Sequence, residues 1–355
     1  MPANGKLVRI TLAFAAVAAV AVTATGVASA RQANTSISGA GSTFVAPLVS
    51  AWINPVANQL HINMSYNAIG SGGGIAAIQG RTVDFGASDA PLTPSQFAGC
   101  VVGGVHCLQI PWALAGTAVI YHLNGSGLPV HLKLTGAVLA GIYLGKITYW
   151  DNKAIKAINK GVKIPHTPIV VVHRSDGSGT TYNFTDYLSH VSATWKSRVG
   201  TGTAVSWPTG EGEAHSSGVA AAVVSTNGAI GYADVDYALV NHLHYAAMQN
   251  RSGKYVVPTL ATIKAASNLD TKPKVDGSLS IVDPPNEGNN YVNAYPISTY
   301  TYIIVPQKTA KAAALKKLIG WAITKGQAYG KSILFVPIVP KIVTFDQGQL
   351  AKISN

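Results

Sequence analysis

Apolar residues fall into short runs, each closed by glycine, serine, proline or a charge. The runs switch between a period of two and a helical period. Positions 36–41 alternate as a strand, and Ser42-Thr43 then precedes a helical pattern over 44–57. A short strand over 66–69 runs into Gly70-Ser71-Gly72-Gly73-Gly74 and a helix over 75–79. Positions 83–89 predict a strand with a polar tip, and 113–121 another strand. A turn over 123–127 is followed by a helix over 134–143. The run 169–173 predicts a buried strand, then the turn Arg174-Ser175-Asp176-Gly177-Ser178-Gly179-Thr180, then a helix to about 191. Strands over 229–232 and 298–305 and a helix over 309–328 complete the pattern, with a polar stretch over 252–290. The rhythm of strand, glycine turn and helix is that of an α/β fold.

The first thirty residues stand apart. Lys6 and Arg9 precede an uncharged apolar run, and Ala28-Ser29-Ala30 has the small-x-small form of a cleavage site. Residues 1–30 therefore predict a removable export signal rather than a membrane anchor, and place the rest in a periplasm or outside the cell. No later run resembles a transmembrane helix. A chain of 355 residues is long enough for two cored domains.

Export makes a disulfide permissible for the two cysteines, Cys100 and Cys107. Gly103 and Gly104 lie between them and let a small loop close. Such a bridge contributes about 2–3 kcal/mol in the loop-entropy account. Two cysteines are too few for a cysteine-only zinc site, and the spacing of His242 and His244 fits surface histidines better than a metal centre. No metal and no cofactor are expected.

The formal net charge is +12, and +10 without Lys6 and Arg9. The bases are dispersed, with no dense basic or aromatic-interleaved block, which argues against nucleic-acid binding and leaves attraction of an anion. The scarcity of Asp and Glu fits a protein facing an acidic exterior, where carboxylates that titrate near ~4 add little charge.

Three segments share one design, small residues and glycine at a strand end followed by a helix start. They are Gly41-Ser42-Thr43-Phe44, Gly70-Ser71-Gly72-Gly73 and Gly177-Ser178-Gly179-Thr180. A helix start exposes unpaired N–H groups and partial positive charge, so it suits an anion. One such turn is an ordinary N-cap; three, one of them following Arg174, point to an oxyanion receptor. Other glycine readings fail. Gly39-Ala40-Gly41 has Phe44 where a dinucleotide fingerprint needs glycine, Gly330-Lys331-Ser332 has Lys325 where a nucleotide P-loop needs its first glycine, and no Gly-x-Ser-x-Gly elbow occurs.

At these residues the chain resembles the phosphate-binding proteins of bacterial phosphate ABC importers. The likeness rests on 39–44, on 83–91, which reads Val-Asp-Phe-Gly-Ala-Ser-Asp-Ala-Pro, and on 174–180. Matches at 142–147 with Trp150-Asp151, at 228–232 and at 295–297 follow in the family's order. The resemblance implies an α/β, two-lobed periplasmic-binding-protein fold of type II with the ligand in the interlobe cleft. One lobe is 31–120 plus 298–355 and the other 121–297. It implies phosphate donors at Thr43, Phe44, Ser71, Arg174, Ser178, Gly179 and Thr180, with a forked contact from Arg174. Asp89 accepts the phosphate proton and Asp176 holds Arg174. Gly72 stands where relatives often have serine, Tyr295 where they often have Trp, and His173 where they often have Arg.

An ionised Asp89 suits phosphate, which still carries a proton near neutral pH, and repels sulfate, which does not. The expectation is a non-catalytic monomer that captures inorganic phosphate and serves a membrane ABC permease. The alternatives are a secreted phosphatase, which needs a nucleophile with a base or a metal cluster, and a phosphate-binding surface protein.

Overall fold

The computed structural model describes residues 35–267, 273–284 and 291–355. The expected export signal and part of the polar stretch 252–290 lie outside the described residues. In chain order the strands are β1 (Thr35–Gly41), β2 (Ile62–Ala68), β3 (Phe85–Ser88), β4 (Cys107–Tyr121), β5 (Lys133–Leu134) and β6 (Val170–Arg174). They continue with β7 (Glu211–Glu213), β8 (Ala229–Asp234), β9 (His244–Tyr245), β10 (Ala247–Gln249), β11 (Tyr255–Val256) and β12 (Ser298–Pro306). Nine strands form one sheet in the order β2-β1-β3-β12-β4-β8-β6-β7, with β9 beside β4; β11, β10 and β5 form a second, small sheet.

The long sheet has two similar halves. In the first, β1 pairs in parallel with β2 and β3, through the helices Ala46–Leu60 and Gly70–Gln79. In the second, β6 pairs in parallel with β7 and β8, and the helices Gly179–Val191 and His215–Ser225 make the crossovers. Parallel strands need such covered crossovers. β4 joins the halves. Residues 107–116 contain its pairing with β12, and 117–121 pair with β8. All of β4 but Leu108 is buried, as expected of a strand covered on both faces.

Each half has its own aromatic packing. Trp52 meets Trp112 and Trp321 edge-on, and Phe85 meets Trp112. In the second half Phe184 and Trp207 stack on Tyr232. His173 stacks on Trp207 at 4.7 Å, and burial lowers its pKa.

Several elements differ from the sequence pattern: the strands expected over 66–69 and 113–121 span Ile62–Ala68 and Cys107–Tyr121. The helix expected from 75 begins at Gly70, and glycine is the reason: a Cβ on Gly74 would lie 2.4 Å from Gly41 Cα and 2.9 Å from the Ala87 carbonyl. The glycine face lets the helix rest on the strand ends. Lys133–Leu134 joins the small sheet, and the helix starts at Gly136, capped by Thr135. The helix expected over 309–328 is Ala312–Ala322 followed by a 3-10 stretch Lys325–Ile333. There the Gly326 carbonyl accepts from Trp52 Nε1 at 2.7 Å, and Thr324 Oγ1 donates back to the Gly320 carbonyl.

Cys100 and Cys107 are bonded, with Cα atoms 5.8 Å apart. Arg81 packs against this loop and donates to the carbonyls of Ile78, Cys100 and Val105 at 2.8–3.0 Å. Its guanidinium is thereby committed to structure. Among the described residues no helix is long and apolar enough to cross a membrane.

Asp346, on the helix Pro340–Ala351, is fully buried, and neither carboxyl oxygen has a hydrogen-bond partner among the described residues. Burial pushes its pKa up to about 9. A raised folded-state pKa stabilises fully below ~4, and that contribution is lost as pH rises towards about 9. Asp346→Asn is expected to remove about 1.4 kcal/mol per pH unit from the decline of stability across this window. Denaturant melts at a series of pH values test this. An unaltered slope would mean that Asp346 is ionised in the folded protein.

Candidate anion-binding site

β1 ends at Gly41, whose φ of +142° and close approach to the Ala87 backbone exclude a side chain. The chain then turns through Ser42 and Thr43 into the helix Ala46–Leu60. Ser42 Oγ accepts from the amides of Phe44 (3.0 Å) and Val45 (3.3 Å). Its hydroxyl lies 2.6 and 2.7 Å from the two Asp89 carboxylate oxygens, to which it donates. The Phe44 amide, expected to face the anion, is thus already shared with Ser42.

Asp89 follows β3 and is buried. Its amide donates to Ser71 Oγ at 3.3 Å, and Ser71 Oγ lies 3.5 Å from Oδ2. Burial raises the Asp89 pKa to about 6, opposed by the Ser42 bond, the Arg174 charge, Ser71 and Thr301. Without those partners a carboxyl at this depth would hold its proton at neutral pH.

The second half supplies the positive charge. Arg174 closes β6, and its amide donates to Tyr232 Oη at 3.1 Å. Asp176 takes one side of the guanidinium, with Nε at 2.6 Å from Oδ1 and Nη2 at 2.5 Å from Oδ2. The His215 amide also donates to Asp176, at 3.0 Å. Despite the desolvation of a half-buried group, these partners hold the Asp176 carboxyl below its ordinary pKa. Three of the five guanidinium N–H bonds remain, so a forked contact with an anion falls to the guanidinium tip rather than to its Nε side. At that tip Nη1 lies 3.2 Å from Thr43 Oγ1 and 3.3 Å from Ser216 Oγ.

Ser178 caps the helix Gly179–Val191 by accepting from the Thr181 amide at 3.1 Å. The first-turn amides of this helix have no intrahelical acceptor. Thr180 Oγ1 is buried and has no hydrogen-bond partner among the described residues. Gly179 brings this helix start against the first half. A Cβ there would stand 2.6 Å from the Asp89 amide nitrogen and 2.7 Å from Ser71 Oγ. The Gly72 amide donates to the Gly177 carbonyl at 2.8 Å, and Asn183 Nδ2 donates to the Asp89 carbonyl at 3.0 Å.

Thr43, Ser71, Asp89 and Arg174 are therefore brought together with Ser178, Gly179 and Thr180, while Asp176 stands behind Arg174. The result is a cluster of hydroxyl, amide and guanidinium donors around one carboxylate, suited to an oxyanion that still carries a proton. Four neighbours were not singled out from the sequence, Asn183, Ser216, Asp234 and Tyr237, and Ser42, read there only as part of a donor turn, serves Asp89. Ser216 was detectable, since Ser216-Ser217-Gly218 at the start of the helix His215–Ser225 repeats the design of the other turns. Asn183 lies one helical turn beyond Gly179 and shares its face. Tyr237 Oη donates to the Thr43 carbonyl at 2.8 Å, a contact between elements 194 positions apart that no local pattern carries. Asp234 is fully buried; burial, with Asp236 and Asp89 nearby, raises its pKa well above the ordinary range, opposed by the Val235 and Asp236 amides.

Residues 26–325 match the model of the PBP superfamily domain. The phosphate-binding protein PstS of Xylella fastidiosa is 42% identical over 311 residues, covering 86% of this chain and 82% of that protein. PstS of Pasteurella multocida is 36% identical over 322 residues, 90% of each chain. PstS of Methanocaldococcus jannaschii is 37% identical over 309 residues, 81% of this chain and 78% of that one. The solved structure of a phosphate-binding protein from Stenotrophomonas maltophilia shares the fold at 19% identity, with a TM-score of 0.64, covering 88% of this chain and 93% of that one. With the family model spanning most of the chain and these relatives aligned along nearly its whole length, the protein belongs to the PBP superfamily and, within it, to the PstS family of phosphate-binding proteins.

Proposed function

We propose that the chain captures one inorganic phosphate between the two halves of its sheet and delivers it to a membrane ABC permease without catalysing a reaction. The observation that carries this reading is the single carboxylate, Asp89, buried among donors. Phosphate near neutral pH offers both unprotonated oxygens for donors and an O–H for that acceptor. Thr43, Phe44, Ser71, Ser178, Gly179 and Thr180 supply hydroxyl or amide donors, and Ser216 joins them. Arg174 supplies charge, which Asp176 partly offsets. Thr180 Oγ1 supports the same reading, because a buried hydroxyl without a partner is costly and an anion oxygen would satisfy it.

The lobes in this reading are 31–120 with 298–355, and 121–297, and they part by flexing at β4 and β12. The contacts that would open are polar bonds and glycine approaches, which water can replace at small cost. The protein acts as an exported monomer in a periplasm or outside the cell, with no nucleic-acid partner. A phosphatase reading is weaker. Ser42 is the hydroxyl nearest a carboxylate, but its oxygen already accepts two backbone amides, which leaves it a poor nucleophile.

Titration calorimetry with phosphate and sulfate tests the role of Asp89. Asp89→Asn is expected to narrow the preference for phosphate by roughly 10- to 100-fold, since the amide no longer repels an unprotonated oxygen. Wild-type affinity should also fall as pH drops through about 6, where Asp89 takes its proton from solvent, and the variant should lose that dependence. Unchanged selectivity would remove the acceptor role. Gly179→Ala should weaken phosphate binding at least about tenfold while the ligand-free melting temperature stays near wild type, because the added methyl obstructs closure and not either core. A drop in both quantities would place Gly179 in folding instead. Incubation with a chromogenic phosphate ester should give no turnover above a buffer blank, and steady hydrolysis would favour the phosphatase.

A further inference from the structure

Ser42 and Thr43 form the turn between β1 and the helix Ala46–Leu60, and both are buried. The helix's own bonds begin with the Val49 amide on the Val45 carbonyl, so the carbonyls of Ser42 and Thr43 lie ahead of its ladder. A buried carbonyl needs a donor. Two tyrosines supply it. Tyr66 Oη donates to the Ser42 carbonyl at 2.8 Å, and Tyr237 Oη donates to the Thr43 carbonyl at 2.8 Å. Burial raises the pKa of both phenols, so both remain O–H donors around neutral pH.

The two tyrosines come from different halves. Tyr66 is on β2, in the same half as the turn, and Tyr237 is on the short helix Val235–Val240 that follows β8 in the other half. The second half also reaches the Thr43 side chain. Thr43 Oγ1 lies 2.9 Å from Ser216 Oγ and accepts from the Ser216 amide at 3.3 Å and from Arg174 Nη1 at 3.2 Å. Thr43 is thus held by the opposite half at both its side chain and its carbonyl. The carbonyl contact has a consequence one residue on. The Thr43 carbonyl and the Phe44 amide belong to one planar trans peptide, in which C=O and N–H point in opposite directions, so holding the first aims the second. A bond accepted at the oxygen also polarises the unit and strengthens its N–H as a donor. The Phe44 amide is one of the donors of the candidate site, and within the chain it meets Ser42 Oγ at 3.0 Å.

We infer that Tyr237 is a positioning residue for phosphate: it holds the Thr43–Phe44 peptide from the opposite half, so the Phe44 amide is aimed at the anion only when the halves have met. The inference rests on the phosphate reading above. It deepens that reading with a residue that acts through a backbone peptide rather than by contact with the ion. Tyr66 holds the preceding peptide, Ser42–Thr43, from within the same half and therefore whether or not the halves meet. The pair supplies its own comparison.

Tyr237→Phe and Tyr66→Phe each delete one hydroxyl and keep the ring. The mature chain and both variants are compared by calorimetry with inorganic phosphate, stopped-flow binding, ligand-free thermal melts and amide NMR. Tyr237→Phe is expected to weaken phosphate binding about three- to tenfold. Nearly all of that loss should lie in faster dissociation, with the association rate within about twofold of wild type. Its ligand-free melting temperature should match wild type, whereas Tyr66→Phe should melt roughly 1–3 °C lower, because its bond is present with or without ligand. The shift of the Phe44 amide proton on saturation with phosphate should fall to about half in Tyr237→Phe, while the Gly179 and Thr180 amides of the other half keep theirs. Affinity equal to wild type overturns the inference. A ligand-free melting loss as large as that of Tyr66→Phe also overturns it, since the bond would then belong to the resting fold. An undiminished Phe44 shift overturns it too, since Tyr237 would then fasten the halves without acting on the donor. Wild-type protein that binds no phosphate overturns the phosphate reading itself; wild-type binding with an unaffected Tyr237→Phe overturns this inference alone.

Discussion

The antiparallel pair of β4 and β12 is the constraint on which the rest depends. β12 is antiparallel to β3 on one side and to β4 on the other, and β4 changes partner from β12 to β8 between Gly116 and Thr117. Every route through the sheet between the two halves crosses this pair. Both strands are buried along almost their whole length, so their backbone bonds are shielded from water and resist local opening. The polar tips that form the candidate site hang from strands whose relative position this pair sets.

Electrostatic balance within that frame follows from depth. Asp89 and Arg174 are both nearly inaccessible, and neither would be tolerated alone. Each has partners in its own half: Ser42 and Ser71 for Asp89, and Asp176 with Tyr232 for Arg174. Each half can therefore hold its charged group without the other. Contacts across the halves, such as Arg174 with Thr43 and Asn183 with the Asp89 carbonyl, are then bonds to neutral groups. Such bonds are modest in net energy, so the two halves meet here without a buried charge pair.

Proton placement connects the site with the rest of the molecule. Asp89, Asp234 and Asp346 are all buried, and burial raises the pKa of each. Carboxyls of this kind favour the folded state more as pH falls. They act in the same direction as the acid-poor surface, which accumulates little extra charge on acidification.

The fold class and most of the site were legible along the chain because they rest on local rules. Glycine at a strand end, serine or threonine next and a helix start beyond are neighbours in sequence, so Thr43, Ser71 and Ser178 to Thr180 could be named from their turns. The cysteine pair was legible for the same reason, its loop being short and glycine-containing. Helix boundaries at Gly70 and Ile323 were not, because one depends on how closely Gly74 approaches β1 and β3 and the other on Trp52 capturing the Gly326 carbonyl. Asn183 and Tyr237 entered the site through contacts between elements far apart in the chain, whereas Ser216 carries a local turn pattern of its own. The sequence by itself determined which residues could serve as donors and acceptor, since that is a property of side chains and their immediate turns. Only the tertiary structure decided that Gly179 stands against Asp89 and that Arg174 reaches Thr43, since these depend on the distances at which the two halves meet.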